Sequence, residues 1–193
     1  MNIQQIQKSK TKLIGKTIKY QEQITSTHTI AKQMATKGTN GTIILADLQT
    51  AGIGTKGRKW YTGKGKNIAM TIMLKPKCKI EKLQNLTKTI AISMQQAIKE
   101  LYNYELTIKE PNDLLLNGKK ICGILTEINT ISEYINYLLI SVGFNVNEEK
   151  FSPETENIAT SLKKEYNKEF KREDIITRFI EILENNILEE IEL

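Results

Sequence analysis

The sequence predicts an α+β fold in which helices flank a mixed, largely antiparallel sheet. Three observations carry that expectation. Short apolar and β-branched runs fill the middle of the chain, at 42–45, 68–74, 121–125 and 134–146. Two longer stretches, 80–102 and 174–191, have apolar residues at helical spacing. Between two apolar runs stands Asn117-Gly118, the strongest short signal for an antiparallel hairpin. Strands grouped together with helices beside them are the mark of the α+β class.

Taken in order, residues up to Ile14 are polar with scattered isoleucines, suited to a short helix, and Gly15 to Tyr20 reads as a turn into a strand. Ser26 or Thr27 caps a short helix that Gly38 stops. Thr42-Ile43-Ile44-Leu45 is a strand, and Ile68 to Leu74 is another that ends at Lys75-Pro76. One long helix is expected from Ile80 to Tyr102, with its methionine as packing material. Leu106 to Lys109 forms a strand that Pro111 ends in a turn, and the hairpin at Asn117-Gly118 returns through Lys119 to Glu127. In that hairpin Asp113 and Lys120 read either as a surface charge pair or as groups facing a cleft. Gly123 leaves room for a ligand or a second backbone. A strand from Tyr134 to Val146, a helical segment from Ile158 to Tyr166 and a helix from Asp174 to Ile191 complete the chain, read as one domain over 1–193.

Composition narrows the functional classes. With 193 residues and 39% hydrophobic content the chain is long enough for a proper core. No run reaches the roughly 20 apolar residues that span a membrane. The N-terminus has no apolar signal core, so a cytoplasmic location is expected. Cys78 and Cys122 lack metal-ligand spacing and are expected to be plain thiols. The net charge of +6 permits an acidic or phosphate-bearing partner, while no nucleic-acid recognition motif accompanies it. His28 is the single histidine, which excludes a His-His metal site.

The stretch from Ala46 to Trp60 concentrates unusual chemistry: Gly52, Gly54 and Gly57, then Lys56, Arg58 and Lys59, then the only tryptophan. Backbone amides left open by glycines, with cations beside them, suit an anion such as phosphate. Gly52-x-Gly54-x-x-Gly57 formally matches the dinucleotide fingerprint. That motif requires a helix after the glycines and an acidic residue about 20 positions on. Here a polar, glycine-broken segment follows, and Leu74-Lys75-Pro76 holds the acidic position. A Walker loop also fails, because Arg58-Lys59 follows Gly57. A mobile loop that grips phosphate fits better.

Four pieces together resemble the biotin–protein ligase family. They are Ser26-Thr27-His28; the loop from Gln49 to Trp60; Pro111-Asn112-Asp113 with Asn117-Gly118-Lys119-Lys120-Ile121-Cys122-Gly123-Ile124-Leu125-Thr126-Glu127; and Gly143-Phe144-Asn145-Val146-Asn147. The resemblance implies the catalytic domain shared with lipoate ligases and similar to class II aminoacyl-tRNA synthetases. It implies activation of biotin by ATP to biotinyl-adenylate, then transfer to a lysine of a biotin carboxyl carrier protein. Lys120 and Arg58 are the implied catalytic cations. Ser26, Thr27, His28, Gln49, Gly52, Ile53, Gly54, Thr55, Lys120 and Gly123 are the implied biotin contacts, with Ile124 walling the pocket. Arg58, Lys56, Trp60, Asn112, Asp113 and Asn145 are the implied nucleotide contacts, with Mg2+ on the phosphates and Asp113 contributing.

The chain departs from the family pattern in four places. Ile53 and Thr55 stand where the first two loop arginines are usual, which makes Lys56 a candidate substitute in the phosphate grip. Glu110 replaces a tryptophan, and His28 replaces asparagine. Neither an N-terminal DNA-binding segment nor a C-terminal small barrel is recognisable, so a minimal ligase without DNA binding or a membrane partner is expected. The relatives' habit of pairing admits a homodimer. Two alternatives stay open: a lipoate or acyl ligase on the same fold, and a biotin-binding protein that has lost catalysis.

Overall fold

A computed structural model of the chain describes residues 1–188. Its elements follow as α1 (Ile3–Gln7), β1 (Ile18–Ile24), α2 (Thr27–Met34), β2 (Thr42–Gln49), β3 (Ile68–Leu74), α3 (Leu86–Tyr102), β4 (Thr107–Lys109), β5 (Asp113–Leu116), β6 (Lys119–Ile131), β7 (Tyr134–Phe144), α4 (Leu162–Tyr166) and α5 (Arg172–Leu188). The strands make one seven-stranded sheet in the order β1-β2-β3-β7-β6-β5-β4. Only β1 and β2 run parallel; every other neighbouring pair is antiparallel. The α+β expectation therefore holds.

Side-chain alternation sorts the sheet into two faces. On one face Ile43, Leu45, Ile68, Met70, Ile72, Ile124 and Val142 pack with Ile90, Met94 and Ile98 of α3 and with Ile176, Phe179 and Leu183 of α5. On the other, α2 covers only part of the sheet, burying Ile44, Ala46, Met73, Tyr137 and Leu139 against Ala31 and Ala35. Covered on both faces where α2 lies, β3 is buried at all seven positions, which explains its unbroken apolar reading. Beyond the N-terminus of α2 the second face is open, and the cavity described below lies there.

Two expected helices start later than their spacing suggested. The stretch from Ile80 is a 3-10 turn over Ile80–Leu83, and α3 begins only after Asn85. The tip of the β6–β7 hairpin claims that stretch: Ile80 N–H donates to Glu133 O, and Lys79 bridges Tyr134. Likewise Ile158 ends a run of turns and Ala159 bridges Lys120 in place of a helix start, because Lys120 N–H donates to Ile158 O and Thr160 N–H to Lys120 O. The helix α4 starts only at Leu162, with the Ser161 hydroxyl accepting from Lys164 N–H. The last expected helix is present as α5, and its predicted positions 189–191 lie outside the described residues.

The N-terminal segment is fastened by one buried carboxylate. Glu184, 3% exposed, accepts the backbone N–H groups of Lys12, Leu13 and Ile14. Its removal leaves those donors without their acceptor next to the core. Glu184→Ala is expected to destabilise the chain by about 3 kcal/mol in denaturant titration. Glu184→Gln, which keeps the shape and one oxygen acceptor, should lose less.

Candidate active site

The centre of the site is a row of sheet positions that hold almost no side chain. Gly123 faces Gly143 across β6 and β7, Gly143 faces Ala69 on β3, and Ala69 faces Ala46 on β2. Residues directly opposite in a ladder share a face, so Gly123 and Gly143 cut a trench in its open part, and the row runs on through Ala69 to Ala46, which α2 covers. Asp113 stands at the end of the row, opposite Gly123. Above the trench a cavity of about 490 Å³ opens.

The glycine-rich stretch closes over this trench as a small hairpin. Trp60 N–H donates to Gly52 O, Gly54 N–H donates to Arg58 O, and Ile53 bridges Lys59 antiparallel. Its tip is a 3-10 turn over Thr55–Gly57. Gly52 is required because a Cβ there would lie 2.3 Å from Trp60 O. The hairpin sets the Trp60 indole on the two sheet glycines: a Cβ on Gly143 would lie 2.2 Å from Cε2, and one on Gly123 2.9 Å from Cζ3. Gly123 thus makes room for a side chain of this same chain, where the sequence had suggested a ligand or a backbone. The indole Nε1 is buried and has no acceptor.

Lys120 reaches the same place from β6. Its Nζ is 2.7 Å from Asp113 Oδ1 and 5.5 Å from the Trp60 ring centroid. The pair is largely shielded, at 28% and 19% side-chain exposure, so it is a cavity pair and not a surface one. The tie to Ile158 and Thr160 fixes the Lys120 backbone, and the Asn145 amide donates to Thr160 O at 3.0 Å. Asn112 donates to Asp113 Oδ1 and to Ile124 O, both at 3.2 Å, which steadies the carboxylate facing the lysine.

The opposite end of the cavity is hydroxyl-rich. Ser26 caps α2, accepting from Thr29 N–H at 3.4 Å. Gln49, at the end of β2, accepts from Thr27 N–H at 2.8 Å and from the Thr27 hydroxyl at 3.1 Å, and donates to Thr62 Oγ1 at 3.3 Å. Behind them Thr71, Ser141 and His28 form a buried polar layer. His28 also contacts Glu127 Oε2 at 3.0 Å, and Lys32 approaches the other carboxylate oxygen at 3.0 Å. Burial alone would push the Glu127 carboxyl up, but the hydrogen bonds from Lys32 and His28 outweigh it and hold it below the usual range.

Most of the residues singled out from sequence line this cavity: Ser26, Thr27, His28, Gln49, Ile53, Gly54, Thr55, Arg58, Trp60, Asn112, Asp113, Lys120, Gly123, Ile124 and Asn145. Two do not. Gly52 is buried beneath the Trp60 carbonyl, and Lys56 is exposed at the hairpin tip in a left-handed conformation, φ 56°. Arg58 lines the cavity but donates to the main-chain and hydroxyl oxygens of Thr55. Lys59, read from sequence as part of the basic cluster but given no contact of its own, adds a cation to the wall; sequence reading missed Lys109, a further cation there, and Ser141, Phe151, Asn157 and Ile158. Periodicity gives no signal for loop residues such as Asn157, which reach the site through tertiary pairing. Ser141, however, is legible as the one serine in an apolar strand. Cys122 is fully buried in the core, where burial pushes its thiol far up and leaves it inert.

Residues 20–145 match the pattern of the Biotin/lipoate A/B protein ligase family, and the chain belongs to that family. It is 34% identical over 174 residues to the bifunctional ligase/repressor BirA of Bacillus subtilis, covering 89% of this chain and 54% of that protein. It is 32% identical over 123 residues to the biotin–[acetyl-CoA-carboxylase] ligase of Paracoccus denitrificans, covering 63% and 51%. The chain thus spans about half the length of these curated relatives. Among solved structures it resembles the Aquifex aeolicus biotin protein ligase in complex with biotin and ATP, with a TM-score of 0.78 at 25% identity over 90% of this chain and 71% of that one. The Leishmania major biotin protein ligase in complex with biotinyl-5-AMP gives 0.75 at 26% identity over 91% and 76%.

No described helix is long and apolar enough to cross a membrane. Since Trp60 is the only tryptophan, its seating can be read directly. Gly143→Ala should expel the indole from the trench, giving red-shifted emission relative to the native chain. Unchanged emission would contradict the close packing.

Proposed function

We propose that the chain activates biotin with ATP to biotinyl-adenylate and transfers the biotinyl group to a lysine of a biotin carboxyl carrier protein. The observation that carries this reading is the Lys120 ammonium, fixed between Asp113 and Trp60 inside a cavity with a hydroxyl-rich end opposite. Joining a carboxylate to a phosphate ester brings like charges together, and a cation already in place lowers that cost. The family membership and the ligands of the two similar solved structures support the same chemistry.

In the first step a carboxylate oxygen of biotin attacks the α-phosphorus and pyrophosphate leaves. Lys120 stands where both anions converge, and Asp113 holds its ammonium ready before they enter. Arg58, Lys59 and Lys109 supply further positive charge along the wall. In this chain Lys59 and Lys109 are better situated than Lys56 to replace the missing loop arginines. In the second step the acceptor lysine attacks the acyl carbon of the mixed anhydride and AMP departs. The hairpin at 52–60 covers the trench and shields the anhydride from water.

Magnesium fits as a passenger of the phosphates. Among the described residues no group of three or more carboxylates, histidines or cysteines forms a protein cage for it. Asp113 is the one carboxylate among the lining residues and is already paired with Lys120. The ion would supply charge neutralisation on the phosphates, with Asp113 as its protein neighbour.

Biotin is favoured over lipoate by the Thr27–Gln49–Thr62 end. A ureido ring has donors and an acceptor that can use the hydrogen-bonding capacity left at this end, whereas a dithiolane ring offers no N–H donor or carbonyl acceptor to it. With biotin and ATP supplied, Lys120→Ala is expected to lower pyrophosphate release by about a hundredfold or more. Full activity in that variant would remove Lys120 from the chemistry.

A further inference from the structure

His28 belongs to a string of contacts whose protons can be counted. Thr27 N–H donates to Gln49 Oε1 at 2.8 Å, which turns the amide oxygen toward Thr27. Thr27 Oγ1 lies 3.1 Å from the same oxygen, so its hydroxyl proton points at Gln49. Thr71 Oγ1, 3.0 Å from Thr27 Oγ1, therefore supplies the proton between those two. Its single proton is then committed, and Ser141, 2.8 Å from Thr71, supplies the next one. With the Ser141 proton committed too, Nδ1 of His28, 2.9 Å away, must carry a proton. On the far side Nε2 faces Glu127 Oε2 at 3.0 Å, and an ionised carboxylate only accepts. That nitrogen needs a proton as well.

We infer that His28 is held as an imidazolium and is a positioning residue: its charge fixes the direction of the hydroxyl protons from Ser141 through Thr71 and Thr27 to Gln49. The part of the inference that concerns biotin rests on the function proposed above. Without the second ring proton one contact in the string sets two acceptors face to face, and the Thr27 hydroxyl is free to turn away from Gln49. With it, the cavity end shows a ligand one fixed pattern, in which Thr27 is committed to Gln49 and the Ser26 proton remains available. The titratable groups around the ring fit a cation. Glu127 of β6 contacts it, Lys32 of α2 reaches both Glu127 oxygens, at 3.0 Å from Oε1 and 3.2 Å from the Oε2 that the ring shares, and Tyr137 of β7 lies near Lys32. Thr71 of β3 and Ser141 of β7 are neutral. The ring is 7% exposed, so water cannot easily substitute for a lost partner.

His28 is the single histidine, so ring 15N spectra of the whole chain report it alone. The expected result at neutral pH is a ring with both nitrogens protonated. Ser141→Ala, which removes the acceptor of Nδ1–H, should let the second proton leave at a lower pH. Biotin affinity of the native chain should fall about fivefold as pH rises through the ring titration, the loss of about one hydrogen bond. In His28→Asn that step should be absent. A ring with one proton at neutral pH, or an affinity that stays flat while the ring titrates, would overturn the inference. Should biotin bind at no pH, the proposed ligand fails while the inference is still decided: the Gln49 side-chain amide signals must follow the ring titration in the native chain and stay still in Ser141→Ala.

Discussion

The Trp60 indole rests on two glycines that face one another across the centre of the sheet, and much of the site follows from that contact. With side chains on Gly123 and Gly143 the ring would have nowhere to sit. The hairpin from Gly52 to Trp60 would lose its anchor, and the indole would no longer flank Lys120. Loss of side chains there sacrifices burial in mid-sheet, where apolar packing contributes roughly 1.5–3 kcal/mol per large residue. The core on the opposite face, between the sheet, α3 and α5, offsets this loss. One face of the sheet stabilises the chain so that the other can be hollow.

Lys120 shows how the same economy shapes the electrostatics. A lysine this shielded costs desolvation unless it is paired, and a pair broken in the interior costs more than it contributed when intact. Asp113 across the hairpin supplies the pair, Asn112 steadies the carboxylate, and the bridge at 158–160 holds the lysine backbone. The cation is thus fixed by contacts made in folding, before any substrate arrives, which is the condition for electrostatic catalysis.

The strands and their antiparallel bias were legible because periodicity and the Asn117-Gly118 turn are local signals. The α2 cap at Ser26 was legible for the same reason. The late starts of α3 and α4 were not. Ile80 and Ile158 continue a helical spacing, but their backbone groups are claimed by Glu133 and Lys120, partners far away in the sequence. In the site, motif order brought out Lys120, Asp113, Gln49 and Trp60. It could not show that Lys56 sits exposed at the hairpin tip and off the cavity wall, because no sequence pattern reveals which way that tip turns. It could not find Lys109 or Asn157 as wall residues, since each reaches the cavity through strand order and loop pairing. The His28 string was invisible for a related reason: its members come from α2, β2, β3, β6 and β7, and only the fold sets their oxygens in line.

The most direct test of the account is native mass spectrometry of the chain incubated with biotin, ATP and magnesium in the absence of any acceptor protein. The proposed activity predicts a retained species with the mass of chain plus biotinyl-adenylate. That species should form with biotin and not with lipoate, and disappear when a carrier domain is added. A chain that binds biotin yet never carries the adenylate, or one that forms it equally with lipoate, would contradict the account.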